Sequence, residues 1–326
     1  MESLSTKEFA QKLPELPTTF VLTSHKNPDG DGLGAMFAMG EGLKAIGKTV
    51  HYVLDEEVKD YYQFLEEHRN LRFEMPPVTG QAVLMTFDCG SRERIGLPSH
   101  TDLSRFTLIN LDHHLSNERF GDITVIRTDS IASCELVHEV LTHMNLKLTP
   151  SMATSLYLGL VYDTGRFAYS SAPSTFRLGE SLILAGADHW AVFTSLFRHN
   201  DLEQFKIQGL MMSRLDNSFH DQVVTLDVDR ELTEQLDLEE TENLINQVSN
   251  IRDLEIAVIF KYLGPKETKV SFRSRGRYSV CDIASKVGGG GHRNASGALV
   301  MEDFQTTKKL VFEAIDNAFQ CPEDQA

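Results

Sequence analysis

Cysteine is scarce in this chain of 326 residues, and what there is lies scattered at 89, 134, 281 and 321 with no Cys-x-x-Cys pair. That argues against a disulfide framework and a thiolate zinc site, and it suits a reducing cytoplasm. The four are read as small buried or surface residues. Long apolar runs are missing as well: none approaches the ~20 residues of a membrane span. The opening MESLSTKEFA lacks the charged and apolar regions of a signal peptide. Ser5 to Glu8 reads instead as a capping box that opens a helix. Positive charge is in deficit, with 31 Lys and Arg against 47 Asp and Glu, a net of −16. A surface of that sign does not hold nucleic acid over its whole area. The one tryptophan, Trp190, is read with the Phe-rich segments as core. Internal repeats and low-complexity segments are absent too.

Against these absences, alternation is abundant. Thr18 to Ser24 is a β-branched, apolar strand, followed by a tight turn and apolar residues at helical spacing up to a C-cap at Gly47. Further strands fall at Thr49–Leu54, Gln81–Phe87 and Thr107–Asp112, with an edge-like strand at 122–127. A polar helix is expected around 57–68. Others run from Ala132 to Asn145, from Thr149-Pro150 to Asp163, and from a cap at Ser174 to near Gly186. This order predicts an α/β unit, a mostly parallel sheet with helices on both faces. After a helical connector at 188–214 the pattern changes. Strands at Val223–Val228, Leu254–Tyr262 and Lys269–Ser274, a turn at Gly264-Pro265, helices at 279–287 and 306–319 and a strand near 296–301 predict a smaller α+β domain. The chain therefore divides into 1–187, 188–214 and 215–326.

The chemistry gathers at strand ends. The first strand delivers His25, Asp29 and Asp31, the third Asp88, the central one Asp112, His113 and His114, and the Thr149 helix ends at Asp163. In a parallel sheet the strand groups share one edge, where ligands of open α/β sheets sit. So many carboxylates and imidazoles do not coexist unpaired, because burial and repulsion would neutralise them. Divalent cations resolve the conflict. Oxygen and imidazole donors without sulfur favour Mn²⁺ or Mg²⁺ over zinc. The number of carboxylates suggests two ions, with Asp88 the candidate bridge. Gly30 and Gly32 are expected to permit a sharp turn that aims Asp29 and Asp31 inward. Residues 261–293 hold eight basic residues against only Glu267 and Asp282, which is either a local anion site or a solvated basic face. Glycines 288–291 would let backbone N–H groups approach an anion, or would form a flexible helix C-cap loop. Arg166 and Arg177 are weaker candidates with surface roles equally open, and the other eight histidines belong to no constellation.

HKNPDGDGLG, FDCG, LDHH and LVYDTGRF, in this order, resemble the four motifs of the DHH phosphoesterases. FRSRG at 272–276 and GGGGH at 288–292 resemble the C-terminal domain associated with that family. The two-domain size is similar to the oligoribonuclease (nano-RNase) and pAp-phosphatase subfamily. The resemblance implies that His25, Asp29 and Asp88 hold one ion, and Asp31, Asp88, His113 and Asp163 the other. Asp112 would lie behind them and orient a histidine. His114 would face the scissile phosphate. Arg273, Ser274, Gly289, Gly290, Gly291 and His292 would grip the terminal nucleotide.

The expected activity is Mn²⁺-dependent hydrolysis of short oligonucleotides to 5′-mononucleotides and removal of the 3′-phosphate of pAp. The expected partners are short RNA or DNA oligonucleotides, pAp and dinucleotides, with no membrane; a homodimer stays open. Alternatives are a cyclic or linear dinucleotide phosphodiesterase, a manganese inorganic pyrophosphatase, or a nucleotide sensor with a degenerate site. FRSRG and GGGGH argue against the pyrophosphatase, and the complete ligand set argues against the sensor.

Overall fold

The structure is a computed structural model and describes all residues except 1, 79, 171, 199–201, 235–243, 246 and 321–326; of His292 it describes the backbone alone. The chain divides into two compact units, Met1–His199 and Asn200–Ala326. The expected connector is shared between them. Helix α6 (His189–Phe197) buries Val192 in the first unit's core, whereas α7 (Leu202–Met212) buries Met211 in a core of the second. No helix among the described residues is long and apolar enough to cross a membrane.

The first unit is built on one sheet. Its strands are β1 (Glu2–Ser3), β2 (Thr19–Thr23), β3 (Thr49–Val53), β4 (Leu71–Arg72), β5 (Ala82–Phe87), β6 (Phe106–Asp112) and β7 (Ile123–Ile126). They lie in the order β1-β7-β6-β5-β2-β3-β4, and every pairing is parallel. Strand β7 is not the edge, because Glu2 and Ser3 pair outside it. Two residues carry no periodicity that a sequence could display. The chain runs outward from β2 through β3 to β4, then returns to β5 on the other side of β2. The strand order therefore reverses between β2 and β5, which is where ligand crevices form in open α/β sheets.

Among the described residues, α-helices cover one face of this sheet, not both as the alternation predicts. Helix α1 (Thr6–Lys12) opens with the expected capping box between Ser5 and Glu8. Helices α2 (Gly30–Ala45), α3 (Ser133–His143), α4 (Pro150–Asp163) and α5 (Pro173–Leu184) pack with it against Phe20, Leu22, Val83, Met85, Phe87, Ile109 and Leu111. The other face, carrying Val21, Val53, Leu84 and Leu108, is covered by Met75, Val78, Ile95, Leu97, Leu103 and Phe120 from irregular segments and turns. The polar helix expected at 57–68 is two 3₁₀ turns, Asp60–Tyr62 and Glu66–Asn70, neither with a side-chain cap to start an α-helix. Helix α5 starts on Pro173 and not from a cap at Ser174. Proline has no N–H at this first position to leave unsatisfied. Trp190 is 60% exposed and not core, since α6 turns Val192 inward; Arg198 lies 4.9 Å above the indole.

The second unit carries β8 (Asp216–Ser218), β9 (Val223–Val228), β10 (Ile256–Gly264), β11 (Glu267–Ser274), β12 (Gly290–His292) and β13 (Ala295–Val300), in the order β12-β13-β11-β10-β9-β8. The expected antiparallel hairpin is β10–β11, while β9 and β10 pair in parallel. Helices Val280–Lys286 and Phe304–Gln320 pack Val280, Ile283, Val311 and Ile315 on Val258, Phe260, Val270 and Phe272. The opposite face packs Ala257 and Ile259 on Met211, Leu244, Ile245 and Val248.

Candidate metal centre

The reversal between β2 and β5 sets two loops side by side. His25 and Asp29 follow β2, and Asp88 follows β5, its backbone N–H bonded to Leu111 O at 3.0 Å. Asp88 has φ +54°, in the left-handed region. A non-glycine residue held there is uncommon and points to a site whose surroundings dictate the backbone. Asp29 is the N-cap of α2, its carboxylate accepting from the N–H of Asp31 and Gly32. The glycines expected to shape this turn lie inside α2, with no positive φ; the left-handed residue is Asn27. They serve close packing instead. A Cβ on Gly32 would come within 2.1 Å of Ser24 Oγ.

Six predicted residues converge. His25 Nε2 lies 3.8 Å from Asp29 and 3.6 Å from Asp88. His113 Nε2 lies 3.1 Å from Asp163, 3.4 Å from Asp88 and 4.0 Å from Asp31. Each imidazole has its other nitrogen on a backbone carbonyl: His25 Nδ1 is 2.8 Å from Lys26 O, and His113 Nδ1 is 3.3 Å from Ser130 O. A proton held on Nδ1 leaves the Nε2 lone pair facing the carboxylates, the tautomer that ligates a metal. His25 with Asp29 and Asp88, His113 with Asp31 and Asp163, and Asp88 with His113 and His114 form three groups that could each hold an ion. His114 also approaches Asp88, at 3.5 Å, but through the Nδ1 that bonds Asp112 Oδ1 at 2.8 Å. It is the most exposed of the three, at 42%.

The charges explain why so polar a cluster holds together. Asp29, Asp31, Asp88 and Asp163 are four carboxylates facing two imidazoles. Two like charges at 4 Å cost about 4 kcal/mol at an effective dielectric of 20. Protons on these groups relieve the repulsion. Burial works against charge on His25, but Asp29 and Asp88 outweigh it and raise the imidazole to about 10. Burial likewise opposes charge on His113, yet Asp163 and Asp88 raise it to about 11. Burial would raise Asp88, but hydrogen bonds from His113 and His25 hold it below the usual carboxylate range. Asp31 is pushed well up by burial and by Asp88, Asp163 and Asp29. Asp163 is raised by burial first.

Some supporting groups gave no signal in the sequence. The amino end of α3 reaches Asp31: Ser133 N–H donates to Oδ2 at 2.5 Å and Cys134 N–H to Oδ1 at 2.9 Å. Ser133 Oγ donates to Asp88 Oδ1 at 3.1 Å. Gly159 of α4 clears the space, since a Cβ there would lie 2.5 Å from Asp31 Oδ1. Asn117 bonds Asp112. A serine and a glycine in ordinary helices look like packing residues until the fold brings them to the carboxylates.

In the second unit the predicted grip is differently made. Arg273 pairs in register with Ala295, and Ala295 with His292, so the row joins both segments. Arg273 is half-buried, with Nη1 donating to Phe272 O at 3.0 Å. Ser274 Oγ donates to Tyr278 O and accepts from the N–H of Gly276. The glycine run is not a free loop. Gly288 and Gly289 donate their N–H groups to Ser285 O and Ala284 O, capping the Val280–Lys286 helix, and Gly290 and Gly291 belong to β12. A Cβ on Gly289 would lie 2.3 Å from Gly297 O, which requires glycine there. The His292 side chain lies outside the described residues. Arg166 stacks over Phe197 at 4.5 Å, and Arg177 is exposed.

The profile described as DHH family, N-terminal domain, matches residues 19–160, and that of the DHHA1 domain matches 209–320. The bifunctional oligoribonuclease and PAP phosphatase NrnA of Thermus thermophilus is 30% identical over 94% of this chain and 92% of its own. The chain belongs to the DHH family. NrnA of Bacillus subtilis is 25% identical over 86% of this chain and 89% of its own. Among solved structures, an exopolyphosphatase-related protein from Bacteroides fragilis aligns at TM-score 0.86 and 20% identity, covering 98% of each chain. The exonuclease RecJ bound to manganese aligns at 0.54 and 15%, covering 97% of this chain and 95% of its own. Both show the DHH fold. The N-terminal DHH match holds every residue of the cluster but Asp163.

Proposed function

We propose that this protein is a cytoplasmic, Mn²⁺-dependent phosphohydrolase that degrades short oligoribonucleotides to 5′-mononucleotides and dephosphorylates pAp. The observation that carries the reading is the pair of imidazoles tied through Nδ1 to backbone carbonyls, with Nε2 among four carboxylates. That donor set fits hard or borderline divalent cations. Two such ions balance four carboxylates with both imidazoles neutral, which supports a two-ion centre. His25, Asp29 and Asp88 would hold one ion, and Asp31, Asp88, His113 and Asp163 the other. When bound, they would supply a nucleophile from water near neutral pH and neutralise charge on the phosphoryl oxygens. His114 stands outside this set. Held by Asp112, it stabilises the developing charge or gives a proton to the leaving oxygen. Arg273 supplies a guanidinium for a substrate phosphate; Ser274, Gly290, Gly291 and His292 belong to the same grip, and Gly289, whose N–H caps the preceding helix, shapes the turn that carries them. The relatives' names support oligoribonucleotides and pAp as substrates.

The test is a product time course with Mn²⁺ on pAp, pGpG, a 5-mer, a 24-mer and pyrophosphate. Mononucleotides from the short oligomers and AMP from pAp are expected. Turnover of pyrophosphate alone, or of pGpG alone, would replace this reading with a pyrophosphatase or a dinucleotide phosphodiesterase.

A further inference from the structure

Asp112 is fully buried at the end of β6, and its two oxygens have different partners. Oδ1 accepts from His114 Nδ1 at 2.8 Å, and Oδ2 accepts from Asn117 Nδ2 at 2.5 Å. Asn117 Nδ2 also lies 2.9 Å from Asn110 Oδ1 and 3.2 Å from Cys89 O. All three partners are acceptors, while Asn117 Oδ1 accepts the N–H of Arg119 at 2.6 Å. This pattern fixes which end of the amide faces Asp112. Behind it, the fully buried Asn110 donates to Thr86 Oγ1 at 3.0 Å and to Cys89 O at 3.1 Å. A polar chain thus runs from the sheet interior through Asn110, Asn117 and Asp112 to His114. The turn that returns Asn117 to the strand end is closed by its own N–H on His114 O.

We propose that Asn117 is a positioning residue for catalysis: by holding Asp112 Oδ2 it fixes the carboxylate plane, and through Oδ1 it fixes the His114 imidazole against the substrate. The inference rests on the role given to His114 above. A carboxylate held at one oxygen only can rotate about its Cβ–Cγ bond and carry the imidazole with it. The metal cluster gains nothing from Asn117 directly, since none of the three partners of Asn117 Nδ2 belongs to the proposed ligand set.

A double-mutant cycle tests it, with kcat, KM and bound manganese measured for Asn117→Ala, His114→Ala and the double variant. Asn117→Ala is expected to lower kcat roughly 10- to 100-fold, with KM and manganese content unchanged. In the His114→Ala background it is expected to change kcat by less than about twofold, because the group it positions is gone. Multiplying losses, or manganese lost with Asn117→Ala, would overturn the positioning role while leaving the proposed function intact. An unchanged kcat in His114→Ala would overturn both the positioning role of Asn117 and the role given to His114. If Asn117→Ala does not fold, Asn117→Ser, which keeps a short donor, is run through the same cycle with the same two outcomes.

Discussion

The two units treat charge in opposite ways. In the first, His25, Asp31 and Asp88 are buried, Asp29, His113 and Asp163 are half-buried, and both histidines are held through Nδ1 by backbone. In the second, Arg273 is half-buried and the basic residues near it lie on strands or exposed turns. Under the function proposed above, the difference follows from the ligand each unit would hold. A small cation rewards ligands fixed in place, because its geometry tolerates little slack. A polyanion is drawn by longer-range attraction and tolerates mobile side chains. Damage to the first site should therefore abolish chemistry, and damage to the second should weaken substrate capture.

The largest expected effect is at the residue that both proposed ligand sets share. Asp88→Asn should lower activity about a thousandfold or more and release manganese in parallel, as read by metal analysis of the purified variant. Next is pH. In the ion-free protein His25 and His113 are raised to about 10 and about 11. Ions bind only the neutral imidazoles, so binding releases their protons. Manganese affinity should rise with pH, by about a hundredfold per unit between pH 6 and 9 if both protons leave. Calorimetry in buffers of different ionisation enthalpy would count them, and a flat profile would mean the imidazoles are not ligands. His114→Ala sharpens the contrast within the first unit: kcat should fall about a hundredfold with manganese retained. An emptied centre would make His114 a ligand. Arg273→Ala should raise KM roughly tenfold, the worth of one charged hydrogen bond, with manganese and kcat held. The smallest effect concerns length. With a net charge of −16 the surface gives a long polyanion few added contacts. kcat/KM should peak at about two to five nucleotides, and a 24-mer cleaved as well as a dinucleotide at physiological salt would defeat the terminal grip.

The strand ends were legible because parallel strands announce themselves as short apolar runs, and the residues just past each run must lie on one edge. His25, Asp29, Asp31, Asp88 and His113 came together on that logic, while Asp163 was read from the end of the helix that starts at Thr149-Pro150. The layer over the sheet's second face was not legible. Met75, Val78, Ile95 and Leu97 are placed by turns without period. Nor were Ser133 and Asn117, whose importance arises from bonds to residues 45 and 5 positions away. The glycine run was legible in part: the sequence allowed a helix C-cap there, and Gly288 and Gly289 form it, while the close packing of Gly289 on Gly297 depends on a strand pairing the sequence does not display.

The backbone of Asp88 carries a further consequence, for protein production. A left-handed φ of +54° admits glycine and asparagine readily and β-branched residues hardly at all. A saturation library at this position would sort first by handedness and only then by charge. Asparagine and glycine variants should accumulate as soluble, inactive protein, whereas valine and isoleucine variants should be lost to degradation before any assay is run.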